Sequence, residues 1–124
     1  QLVNMAIKFS NNASTSINGA ISSSVLSVVV TDVSEFPTLG SGDYTYLTLV
    51  EGLDLEIIKV NAINTGTKTL TIPTGGRAQD GTTARAFSDG SLIELRMTAA
   101  GLNEAASQND DASGTAVAMS IALG

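Results

Sequence analysis

Two strand candidates rich in apolar residues, 44 to 50 (Tyr-Thr-Tyr-Leu-Thr-Leu-Val) and 54 to 62 (Asp-Leu-Glu-Ile-Ile-Lys-Val-Asn-Ala), are separated only by Glu51-Gly52-Leu53. A side-chain period of two is that of a strand, and so short a connection reads as a hairpin. The pattern continues as a meander. Thr65-Gly66 marks a turn before a strand at 68–72, and Pro73-Thr-Gly-Gly76 ends it, because Pro lacks a ladder donor and Gly opens unusual backbone angles. Upstream, residues 25–31 are rich in β-branched side chains and place Leu26, Val28 and Val30 on one face, as a core strand would. Downstream, Asp89-Gly90 turns into a strand at 91–97, where Ile93, Leu95 and Met97 alternate with Glu94 and Arg96.

The expected fold is therefore mainly β: a single β-sandwich or barrel-like domain with one short helix near residues 98–107 and an extended N-terminal arm. Thr98 is the candidate N-cap of that helix, and Gly101 argues for only one or two turns. Asn109 to Gly114 reads as a polar loop. Thr115, Val117, Met119, Ile121 and Leu123 alternate with small residues, as in a last strand lying close to another surface. Ser10 to Ser16 and Ser22 to Ser24 are polar and of low complexity, so residues 1–24 are assigned to arm and loops and 25–124 to the β domain.

Composition removes whole classes of chemistry. The 124 residues include no Cys and no His, so there is no disulfide, no thiolate zinc site, and neither the commonest general base nor the commonest metal ligand. The net charge is −6 with a pI near 4.2, which argues against a nucleic-acid backbone or an anionic membrane as partner. Lys8, Lys59, Lys68, Arg77, Arg85 and Arg96 are scattered. The apolar runs are far shorter than a bilayer span, and no basic leader with a long apolar core opens the chain, so a soluble protein without a signal peptide is expected.

Every site reading meets a plainer rival. Asp110 with Asp111, or Asp80 with Asp89, would suit calcium, but no Asp-x-Asp-x-Asp-Gly pattern is present and solvated loop carboxylates are the default. Asp43, Asp54, Glu56 and Glu94 would suit a glycosidase-type dyad only if the fold gathered two of them in a cleft. Gly75-Gly76 lacks the Lys and Ser/Thr of a phosphate loop. Tyr44, Tyr46, Phe36 and Phe87 read as packing residues before a sugar platform. The arginines suit acidic groups on a partner, with pairing to Glu94, Asp89 or Asp80 as the internal alternative. Neither a catalytic group nor a cofactor nor a metal is assigned.

The segment Arg77 to Phe87 carries a distinct signal. Asp80-Gly81 supplies the left-handed angles of a tight turn, and Thr82, Thr83, Ala84 and Ala86 are small enough to let another backbone approach. With Met5 to Ser14, Ile21 to Ser24, Phe36-Pro37, Gly42-Asp-Tyr44, Leu55 to Val60 and Glu94 to Leu102, the run Gln79 to Ala86 resembles small structural proteins of tailed bacteriophages, over roughly residues 5–103. The resemblance implies a non-enzymatic virion component that forms a homo-oligomer, with a trimer as the expected state. As a stand-alone chain it would be a capsid decoration or cement protein on the major capsid protein. The alternatives are a tail-side fibre-anchoring or baseplate module and, after it, a receptor or carbohydrate-binding module. Lys8, Phe9, Arg77, Asp80, Thr82, Thr83 and Arg85 are the candidate assembly contacts, with the N-terminal arm and C-terminal strand adding to neighbouring chains. One departure stands out: these phage proteins usually have Arg-Gly where this chain has Arg77-Ala78. Gln1 to Asn4 precede Met5, a natural start, so an upstream start or a longer chain is expected.

Overall fold

The computed structural model describes residues 6–10, 13–96 and 98–112. Two antiparallel sheets pack over one core. The four-stranded sheet has the order β1 (Ser14–Ser16), β7 (Leu92–Glu94), β3 (Thr45–Glu51), β4 (Asp54–Val60), and the three-stranded sheet has the order β2 (Ser27–Val29), β6 (Thr69–Thr71), β5 (Ala62–Asn64).

The β3–β4 hairpin forms around its short connection, with both faces of β3 largely buried. Its register runs unbroken from Thr45 opposite Val60 to Glu51 opposite Asp54, and Gly52, at φ 62°, turns the chain. Residues opposite each other share a face, so Leu47, Leu49, Ile58 and Val60 point inward together, joined by Ile93 opposite Leu49. From the other sheet Val28 and Leu70, which face each other across β2 and β6, close the core with Ile17, Phe36, Ile72 and Phe87. Each such aliphatic side chain contributes about 1.5–3 kcal/mol on burial.

The sheets are tied at both margins without closing a barrel. At one, Ile17 bridges to Val30, and Thr31 N donates to Ser16 O at 3.0 Å. At the other, the chain itself passes from β4 through Asn61 into β5.

The structure corrects the sequence reading at several points. The run 54–62 breaks after Val60 and Ala62 opens β5 in the other sheet, so the meander does not continue within one sheet. Ser14–Ser16, expected in the arm, are β1, held between β7 and the Ile17–Val30 bridge, with Ala13 and Ile17 buried in the core. Strand 25–31 contracts to Ser27–Val29, and Leu26 points out, 40% exposed, while Val28 and Val30 are buried as expected. Strand 91–97 contracts to Leu92–Glu94. The helix α1 spans Ala99–Ala112, 14 residues, and takes in Asn109 to Ala112 from the expected loop. Met97, the strand expected at 115–123 and residues 1–5 lie outside the described residues.

Helix α1 starts where Thr98 caps it, Gly101 N donating to Thr98 Oγ1 at 2.9 Å. Gly101, a poor helix former, is needed for close docking: a Cβ there would lie 2.9 Å from Thr98 Oγ1 and 3.3 Å from Ile7 Cδ1. Tertiary packing thus overrides propensity. The helix lies on the outer face of the four-stranded sheet, over a second small core of Ile7, Tyr44, Tyr46, Ile57 and Ala105.

Candidate assembly surface

The segment following β6 seals the open edge of β4. Lys59 N donates to Gly76 O at 2.8 Å, Gln79 N to Ile57 O at 2.7 Å, and Ile57 N to Thr82 Oγ1 at 3.0 Å. An uncapped edge strand invites pairing with another chain, and here the loop takes that place. The chain can do this because Gln79 to Thr82 close a tight turn, with Thr82 N donating to Gln79 O and both central residues, Asp80 (φ 53°) and Gly81 (φ 79°), left-handed. Ala78 precedes them at φ 55°.

One buried ion pair fixes this loop. Glu56 lies on the inward face of β4, in register with Leu49, and is fully buried. Its Oε2 accepts from Arg77 Nε at 2.7 Å and Ala78 N at 2.9 Å, and its Oε1 from Arg77 Nη2 at 2.9 Å and Arg85 N at 2.8 Å. Arg77 donates its other hydrogens to Ser22 O, Val25 O and Arg85 O. All five guanidinium N–H groups and about four carboxylate lone-pair sites are therefore used, which is what a buried pair requires to offset desolvation. Burial pushes the Glu56 carboxyl up, but the Arg77 hydrogen bond and the Arg85 and Ala78 amides outweigh it and hold it below its ordinary value.

A second carboxylate holds the helix. Tyr44 Oη and Tyr46 Oη each donate to Glu104 at 2.5 Å, the rings meet edge to face at 5.8 Å, and Lys59 Nζ lies 4.3 Å from the centre of the Tyr44 ring. Burial, followed by the Glu104 carboxylate, pushes the Tyr46 hydroxyl above its ordinary value.

The candidate contacts fall into two groups. Lys8 and Phe9 lie by the start of β3: Lys8 N donates to Tyr44 O, and Phe9 packs on the second core. Arg77, Asp80, Thr82, Thr83 and Arg85 lie on the β4 edge. Within that group Arg77 and Thr82 face the fold, and Asp80, Thr83 and Arg85 face outward. Arg85 reaches Asp54 at 3.6 Å, and Arg96 pairs with Glu94 as one internal alternative had it. Arg77 chooses Glu56 instead of Asp80 or Asp89, and Asp89 accepts from Gly19 N at 2.7 Å.

The carboxylates weighed as a catalytic dyad each have their own partner: Asp43 caps Gly40, Asp54 meets Arg85, Glu56 meets Arg77 and Glu94 meets Arg96. No group of three His, Cys, Asp or Glu side chains comes together among the described residues. A cleft of about 380 Å³ runs between residues 32–39 and 63–68, lined by Val33, Phe36, Pro37, Leu39 and Ile63. At its margin Asp32 accepts from Ser34, and Lys68 Nζ donates to Thr31 O.

Sequence reasoning missed Glu56 as the anchor and Glu104 as the helix latch. For Glu56 a signal exists: it shares parity with Ile58 and Val60, so a strand burying those two buries it as well. No known family model matches the chain, and no curated protein matches it.

Proposed function

We propose that this chain is a non-enzymatic structural protein of a tailed-bacteriophage virion, a decoration protein that binds the assembled shell and reinforces it by surface burial. The observation that carries the proposal is the build of the 77–87 loop. The segment most like the phage proteins is the one that the buried Glu56–Arg77 pair holds fixed, with Asp80, Thr83 and Arg85 outward. A rigidly held polar loop is a contact surface that loses little entropy on binding. The side chains best suited to chemistry, Glu56, Arg77, Tyr44, Tyr46 and Glu104, bind one another and the backbone. This favours adhesion over turnover.

We take packing by faces, in place of strand addition, as the mechanism for the four-stranded sheet. The β4 edge is capped by residues 76–82, and β1 is engaged on both sides within its own domain. The second reading, a tail-side module, draws on the same resemblance, which extends to the N-terminal modules of fibres. Density in a whole-virion reconstruction tests both. Many copies over the shell support decoration, a ring at the neck or baseplate replaces it with the tail reading, and a particle without the chain removes both.

A further inference from the structure

Two glycine-bearing dipeptides lie against each other at one margin of the domain: Asn18-Gly19, between the bridges Ile17–Val30 and Ile21–Phe87, and Asp89-Gly90, just before β7. All of these four residues are exposed. Gly19 N donates to Asp89 Oδ1 at 2.7 Å, and in return Gly90 N donates to Ile17 O at 3.0 Å. Each glycine amide is thus latched by the opposite segment. Ile17 N on Ser91 O and Asn18 N on Val29 O hold the frame around them.

Asn18-Gly19 is the single Asn-Gly pair of the sequence. Such a pair carries its own reaction, because the nitrogen that follows Asn can attack its side-chain amide, and glycine has no side chain to shield that nitrogen. Space does not select glycine here, since a Cβ at position 19 would meet nothing within 4 Å. The backbone does, at φ 104°.

We propose that Asn18 is a self-modification site of this chain and that Asp89 is the positioning residue that holds it unreacted while the domain is folded. Gly19 N forms a bond to Asn18 Cγ, the Cγ–Nδ2 bond breaks, and Nδ2 leaves as ammonia with the proton that Gly19 N gives up. Water then opens the cyclic imide at either carbonyl, leaving aspartate or isoaspartate at position 18. Water is the only co-reactant.

Asp89 opposes the first step in two ways. Its carboxylate occupies the Gly19 N–H, so that bond must break before the nitrogen can turn to Cγ, and a negative charge 2.7 Å away disfavours the proton loss that makes the nitrogen a nucleophile. Asp89-Gly90 is quiet for matching reasons: an ionised carboxylate is a poor electrophile, and Gly90 N is held by Ile17 O. The product matters to the fold. Isoaspartate routes the main chain through the former side chain and lengthens it between the two bridges, and Asn18 N is one of the groups that ties β1 to β2. The chemistry is independent of the virion reading, so its failure would leave that reading untouched.

The test is peptide mass mapping of position 18 in the purified full chain, incubated at mildly alkaline pH, for the wild type, Asp89→Ala, Asp89→Ser, Thr98→Ala and Asn18→Gln, with the wild type in urea as the unlatched reference. Conversion in the folded wild type should be at least about tenfold slower than in urea, and Asp89→Ala should recover about tenfold, the factor that one hydrogen bond to a charged group supplies. Asp89→Ser, with a neutral acceptor, should fall between. Thr98→Ala, which uncaps α1, should leave the rate unchanged, and Asn18→Gln should remove the mass change at that site. Exchange of the Gly19 amide should quicken in Asp89→Ala in step with conversion. A folded wild type that converts as fast as the unfolded chain, Asp89 variants as slow as the wild type, or a Thr98→Ala rate equal to that of Asp89→Ala would each overturn the proposal. The last would mean that general loosening, and no latch, governs the site.

Discussion

Glu56 and Arg77 meet side by side, Nε to Oε2 at 2.7 Å and Nη2 to Oε1 at 2.9 Å, on the face of β4 that also carries Ile58 and Val60. Against an apolar pair of equal volume such an ion pair adds little net stability, but removing one partner strands a buried charge. Its consequence is positional: the pair brings the 77–87 loop, the backbone at 22–25 and β4 to one point.

Replacing Glu56 by Gln, or Arg77 by Lys, should therefore lower stability by about 3 kcal/mol or more. Lys carries three donors on a point charge and cannot reproduce the five-bond fork of Arg77. Urea unfolding with an unchanged m-value measures this. A loss below about 0.5 kcal/mol, the range of ordinary surface substitutions, would contradict the assignment.

The same pair sets an acid limb. Glu56 is held below its ordinary value, so its stabilisation is complete above the unfolded value and is lost as pH falls through the folded one. Asp32, through the Ser34 hydroxyl, and Glu51, through the Ser88 amide, are shifted the same way. Stability should hold through neutral pH and fall below about pH 4–5, where carboxylates protonate. The fall should be shallower in Glu56→Gln. Equal acid slopes in the two proteins would refute this role.

Ala78 sits at φ 55°, a conformation that costs an L-residue with a Cβ about 1–2 kcal/mol. Ala78→Gly keeps the amide that donates to Glu56 and should raise stability by about 0.5–1 kcal/mol after the entropy of Gly is counted. A thermal melt in which the variant unfolds earlier would show that the loop does not hold this angle.

Tyr44→Phe with Tyr46→Phe leaves Glu104 without either phenol donor. Hydrogen bonds to a charged group contribute about 1.5–3 kcal/mol each, so amide exchange in α1 should accelerate at least tenfold. The strands β3 and β4 should keep their protection. Uniform acceleration across the domain would mean that the helix is not a separately held element.

The parts of this fold legible in the sequence are those set by local rules. The β3–β4 hairpin follows from its short connection around Gly52, the Asp80-Gly81 turn from its residue types, and the start of α1 from Thr98. Decisions made by distant partners were not legible. Ser14–Ser16 look like a low-complexity arm, yet β7 and the Val30 bridge make them a strand, because Ala13 and Ile17 on either side are apolar enough to enter the core. Leu26 fits the pattern of β2, and its carbonyl accepts from Ile72 N, but it precedes the first residue of the strand and stays exposed. The helix outran its expected length because Gly101, its weakest residue alone, is where it packs tightest. Of the surface, the outward loop was legible and its buried anchor was not: which carboxylate Arg77 takes depends on β4 passing beneath it.

The most direct test of the assembly reading is quantitative mass spectrometry of purified tailed-phage particles that encode this chain. The expected result is a copy number comparable with that of the major capsid protein. Particles that are complete and infectious and contain none of the chain would contradict it.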